Sequence, residues 1–106
     1  MYRLAAPLFL TCETPLHAGT GQDLGIVDLP IQRERMTAFP KVEASGIKGS
    51  LREHLSTVKR MDTKMVDELF GPERLTDETA HMAALGFTDA RLLLFPVRAM
   101  KGVFAW

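Results

Sequence analysis

Asp28 is a carboxylate set in an otherwise apolar run, Gly25-Ile-Val-Asp-Leu-Pro-Ile31, and two arginines, Arg33 and Arg35, follow it closely. Upstream stand His17 and a glycine loop, Gly19-Thr-Gly21-Gln-Asp-Leu-Gly25. An acid between glycines and cations can cap a turn in solvent, share a divalent cation with a substrate phosphate, or handle a proton. As a proton acceptor it is weak at neutral pH, because an ordinary aspartate titrates near about 3.9. Holding a metal or orienting an attacking oxygen suits it better. Most loop aspartates do neither and are simply solvated.

The glycine loop is not a dinucleotide fingerprint. That motif needs its glycines to open a helix, and Pro30 forbids a long helix just after this one. Glycines here still let backbone N–H groups approach a phosphate or a neighbouring chain, or make an ordinary flexible loop. A second cluster, Ser45-Gly-Ile-Lys48-Gly49-Ser-Leu-Arg52, says more. Lys48 and Arg52 are four residues apart and share one helical flank beside Ile47 and Leu51. Cations in the first turns oppose the helix dipole unless an anion is present, and each helical glycine costs about 1 kcal/mol against alanine. A phosphate backbone crossing the helix start explains both features, and a solvated basic flank is the plain alternative. The Walker pattern is absent. His17, His54 and His81 show no metal-binding spacing. Lys101-Gly102-Val103-Phe104 opens like an RNA-recognition strand, but Val103 stands where that motif wants an aromatic residue.

Positioning these residues needs a frame. Residues 2–11 read as a central strand, apolar on both faces, with Cys12 in phase as a buried thiol. Residues 17–40 have no helical period. Ser45 is placed to cap a helix that runs to about Arg60 on Ile47, Leu51, Leu55 and Val58. A shorter helix spans about 62–70, with Val66, Leu69 and Phe70 inward and Gly71-Pro72 as its stop. The acidic stretch at about 61–86 includes, from 73 onward, a mobile insertion with one helical turn. Residues 87–95 read as a strand, and Arg98 to Gly102 turn into another at 103–106. The order predicts an α+β chain carrying the first part of a ferredoxin-like (RRM-like) βαββαβ palm, incomplete at the C-terminus.

With 106 residues and no net charge, the chain is one domain or part of one, without an overall pull toward polyanions. The charge is nevertheless segregated. Residues 31–60 hold seven Lys/Arg against three Asp/Glu, and residues 61–90 hold two against seven. One basic and one acidic face, or two differently solvated surfaces, follow from that. A single cysteine excludes an internal disulfide and suits a reducing compartment. With neither a signal peptide nor an apolar run of membrane-spanning length, a cytoplasmic protein with no membrane association is expected.

The glycine loop, Val-Asp-x-Pro-Ile-Gln-Arg-Glu, the Ser-x-x-Lys-Gly-x-x-Arg spacing and the "FTDARLLLFPVRAMKGVFAW" segment together closely resemble the RAMP superfamily. Within it, the resemblance is to the repeated backbone (fourth Cmr) subunit of type III-B CRISPR effector complexes. It covers most of the chain, leaving residues 61–85 noncommittal, and implies that residues 1–106 are the N-terminal portion of a single palm domain. It further implies copies of the subunit polymerised as a filament along a guide (CRISPR) RNA, beside other Cmr subunits. A thumb from each neighbour would interrupt the guide–target duplex, and a loop aspartate would cut the target RNA there with a divalent metal, Mg or Mn.

Carried onto this sequence, the resemblance makes Asp28 the catalytic residue and a possible metal ligand. His17, Gly19, Lys48 and Arg52 become candidate guide contacts, and Arg33 and Arg35 could hold either strand. Two alternatives stay open. One is a guide-binding scaffold with Asp28 inert. The other is a metal-independent endoribonuclease that processes guide precursors, using a histidine such as His17.

Overall fold

The computed structural model describes residues 2–20, 30–74 and 81–106. Asp28, Gly21 and Gly25 lie outside the described residues, as do residues 75–80 of the expected insertion. The elements run β1 (Lys41–Val42), α1 (Ala44–Glu53), a π-helical segment (His54–Val58), α2 (Thr63–Phe70), β2 (Ala90–Arg91), β3 (Val97–Ala99) and β4 (Gly102–Ala105). The chain is α+β, and the described residues form two small antiparallel sheets, β1–β2 and β3–β4.

The buried centre lies between the helices and the chain that returns after them. Among the described residues, Ile47 of α1, Val66 and Phe70 of α2, and Ala83 are the buried apolar side chains. The Phe70 and Phe87 rings stack with centroids 6.3 Å apart. Each helix presents one apolar stripe to this centre, and burying the stripe supplies more stability than helix propensity does.

α2 ends as its sequence dictates. Gly71 adopts φ 91°, a backbone state that glycine enters without strain. Near the end of the expected insertion the chain is tied back to α2. Ala84 N–H bonds to Glu68 O and Leu85 N–H to Leu69 O, both at 3.0 Å. They satisfy carbonyls that the end of α2 leaves without intrahelical partners.

α1 begins two residues earlier than a Ser45 cap would place it, and Ser45 lies within its first turn. Glu43 occupies the cap position without a side-chain cap bond. The role is taken across the chain by Asp89, whose Oδ1 accepts the Ala44 N–H at 2.9 Å while Oδ2 accepts from Lys41 Nζ at 2.9 Å. At its far end the helix slips into the wider π register, with Lys59 N–H reaching His54 O at 3.0 Å. Ser56 and Thr57 donate their hydroxyls to Arg52 O and Glu53 O, in competition with the ordinary α-helical ladder.

The Asp89 contact carries a pH signature. The Ala44 N–H, and then the Lys41 ammonium, hold the Asp89 carboxyl below its ordinary value. Its hydrogen bond to Asp89 leads the causes that raise Lys41, against the opposing effect of burial. A lowered carboxyl stabilises the fold above the unfolded value, near about 3.9, and loses that contribution as pH falls through the folded value. For Lys41 the sign reverses: its contribution is present below its unfolded value and is lost as pH rises through the raised one. In denaturant titrations, wild type and Asp89→Asn should therefore differ near neutral pH. Their midpoints should converge as the solution is acidified through the lowered carboxyl value.

Three expectations are corrected. Residues 2–11 join no strand among the described residues, and their apolar side chains are exposed, Leu4 at 93%. An apolar run is buried as a central strand only when strands flank it on both sides, and the described sheets have two strands each. Cys12 is exposed with this segment rather than buried. The 87–95 strand is paired only at Ala90–Arg91, against Lys41–Val42, a short strand the sequence pattern did not reveal. A hairpin forms in this region, but its first strand is β3 (Val97–Ala99) rather than residues 87–95, so Arg98 pairs with Phe104 instead of opening the turn.

Candidate RNA-binding site

The two segments that flank residues 21–29 are joined as a stem by hydrogen bonds. Thr20 N–H bonds to Pro30 O at 3.0 Å and Gln32 N–H to Ala18 O at 2.8 Å, with Gly19 and Ile31 facing each other in an antiparallel bridge. The Thr20 hydroxyl adds a bond to Pro30 O at 3.3 Å. Gly19 is half-buried in this stem, and His17 is exposed just before it.

Directly after the stem, residues 33–40 form a second small hairpin. Arg33 and Pro40 face each other in an antiparallel bridge, and Glu34 N–H bonds to Phe39 O at 2.8 Å. Ala38 takes φ 60° at the turn, and its carbonyl accepts from Arg33 Nη1 at 3.0 Å. Glu34 accepts the Thr37 hydroxyl at 2.6 Å and faces Arg91 at 3.9 Å. Arg35 is exposed in the turn. Its guanidinium and that of Arg33 therefore stand at the surface, one residue apart on each side of Glu34.

Gln32 connects the stem to α1, and sequence patterns alone gave it no role. Its Nε2 donates to Gly19 O at 2.9 Å, and its Oε1 accepts the Glu43 N–H at 2.7 Å. Its own carbonyl accepts the Lys41 N–H at 3.1 Å. The signal present in the sequence was a single side-chain amide, donor and acceptor together, between Pro30-Ile31 and Arg33.

The two α1 cations part company. Arg52 turns onto α2, where Nη1 donates to Gly71 O at 2.5 Å and Nη2 to Asp67 Oδ1 at 2.6 Å. A cation at the C-terminal end of a helix is favourably placed against the dipole. Lys48 is half-buried on α1 and takes part in no ion pair among the described residues. Gly46 and Gly49 face open space, since a Cβ built on either would meet nothing within 4 Å. The structure thus gathers the His17–Gly19 segment, the Arg33/Arg35 hairpin and the Lys48 helix start along one hydrogen-bonded path, and directs Arg52 into the fold.

No group of three or more His, Cys, Asp or Glu side chains among the described residues is placed to hold a metal ion. These residues therefore do not form a metal cage. No described helix is long and apolar enough to cross a membrane.

Comparison with known proteins decides the family, since the model for the RAMP superfamily matches residues 9–104. The chain belongs to the RAMP superfamily. This RAMP chain is 45% identical over 95 residues to the CRISPR system Cmr endoribonuclease Cmr4 of Pyrococcus furiosus, covering 88% of the chain and 31% of that protein. The crystal structure of oligomeric Cmr4 from Pyrococcus furiosus superposes with a TM-score of 0.71 at 37% identity, over 89% of the chain and 31% of the other. A second Cmr4 crystal structure gives 0.68 at 39% identity, over 87% and 31%. The RAMP chain thus spans about a third of the length of these relatives.

Proposed function

We propose that this chain is part of a type III-B CRISPR backbone subunit that grips guide RNA and cuts the complementary target, with Asp28 at the cutting site. The observation that carries the reading is the 45% identity to a Cmr endoribonuclease, over a stretch that includes the closed loop stem and the start of α1. In this reading the palm is ferredoxin-like, the subunit is cytoplasmic, and copies of it assemble with other Cmr subunits along the guide. Base pairing supplies sequence specificity, so the protein needs to recognise only backbone and A-form shape.

The chemistry follows from the residue types. Cutting RNA through an adjacent 2′-hydroxyl requires the nucleotide splayed into in-line geometry and the developing phosphorane charge compensated. Arg33, Arg35 and Lys48 supply cations at the surface, and Gly19, Gly46 and Gly49 let backbone approach closely. Asp28 orients the attacking oxygen. A divalent cation would add charge compensation at the phosphate.

Incubating the assembled complex with labelled complementary RNA, and separately with guide-precursor RNA, tests the assignment. Regular cuts in the complementary RNA that EDTA abolishes are expected, with the precursor left intact. EDTA-resistant cutting of the precursor would instead mark a processing enzyme. Binding of complementary RNA without any cutting would mark a scaffold.

The glycines give an independent check. With open space around both, Gly49→Ala should stabilise α1 by about 1 kcal/mol in thermal unfolding of the subunit. If a guide backbone crosses the helix start, the same substitution should weaken guide binding. A gain in stability with unchanged guide affinity would remove RNA from this face.

A further inference from the structure

Gln32 engages its main-chain and side-chain hydrogen-bonding groups with two separate stretches of chain, residues 18–19 and 41–43. Its main chain bonds to Ala18 O and to the Lys41 N–H, and its side-chain amide spans Gly19 O and the Glu43 N–H, at 2.9 and 2.7 Å. Glu43 is the cap residue of α1. One amide therefore bridges the backbone beside His17 and the first turn of the helix that carries Lys48.

We infer that Gln32 is a positioning residue that holds the 17–20 segment and the start of α1 in one fixed arrangement, so that both meet the same stretch of guide backbone. This rests on the proposed guide-binding role of those two stretches. A bridge from a carbonyl to an N–H needs a side chain that donates at one atom and accepts at another. At this length glutamine alone fits both partners: ionised glutamate only accepts, and methionine offers no N–H or O–H donor. The main-chain bonds to Ala18 and Lys41 survive a side-chain change, so losing the amide loosens the relative placement of the two stretches without dismantling the stem.

Gln32→Glu separates the two ends of the bridge. Its carboxylate can still accept the Glu43 N–H, which preserves the approach to α1, but it cannot donate to Gly19 O and repels it. Gln32→Met removes both side-chain bonds without adding charge. The test uses the full-length subunit assembled with its guide and partner subunits. Ultraviolet crosslinks from guide RNA to residues 17–20 and to residues 45–52 are mapped by mass spectrometry.

Wild type is expected to crosslink at both stretches. In Gln32→Glu and in Gln32→Met, crosslinks to 17–20 should fall by at least about fivefold relative to those of α1, with the thermal midpoint and overall guide affinity close to wild type. A purely structural role would lower both sets of crosslinks together with the midpoint. Variants that keep both crosslink sets at the wild-type ratio, or lose both with the fold, overturn the positioning role. A wild-type complex that crosslinks at neither stretch overturns the guide-binding reading beneath it, and the two failures are thus distinguishable.

Discussion

Phe70→Ala is expected to destabilise the subunit by about 3–5 kcal/mol, with a lower urea midpoint and an unchanged slope. Phe70 is 4% exposed at the end of α2 and, among the described residues, is the largest of the buried apolar side chains, beside Ile47, Val66 and Ala83. Truncating it removes the stack on Phe87 and leaves a cavity that the surrounding structure closes only in part. Both helices pack against this point, and α1 carries Lys48, so guide binding should fail along with stability. Phe70→Leu keeps most of the volume and should cost about 1–1.5 kcal/mol.

Asp28→Asn is expected to slow target cutting by about 10²- to 10⁴-fold, the usual range for losing a group that assists proton transfer or orients an attacking oxygen. Asparagine has nearly the same shape and keeps one oxygen acceptor, so the substitution tests charge rather than packing. Removing a negative charge near RNA phosphates also removes repulsion. Target affinity should therefore hold or rise slightly while the rate collapses. That divergence distinguishes loss of catalysis from loss of fold.

What the sequence made legible was local. α2 was readable almost to the residue, because Val66, Leu69 and Phe70 set its stripe and Gly71-Pro72 its end. A hairpin near the end of the chain was readable, but its first strand falls at Val97–Ala99, after Pro96, and not over 87–95. The features that escaped depend on partners far along the chain. Asp89 caps α1 from 45 residues away, and no pattern near Ser45 announces it. Residues 2–11 have the composition of a buried strand, but burial depends on what pairs with them, and among the described residues nothing does.

The site divides in the same way. Helical spacing placed Lys48 and Arg52 on one flank, but it could not show that the Arg52 guanidinium reaches across to Asp67 and Gly71. Gln32 lay inside the motif that pointed to the RAMP superfamily. Its function became visible only through Gly19 and Glu43, which are 13 and 11 residues distant.

The measurement that bears most directly on the central claim uses complexes assembled from full-length subunits, guide and partners, with either wild type or Asp28→Asn. Each is given labelled complementary RNA in magnesium or manganese, and target binding is followed alongside cutting. The account predicts evenly spaced cuts with wild type, and intact but bound target with Asp28→Asn. Equal cutting by both complexes, or none by wild type, would contradict it.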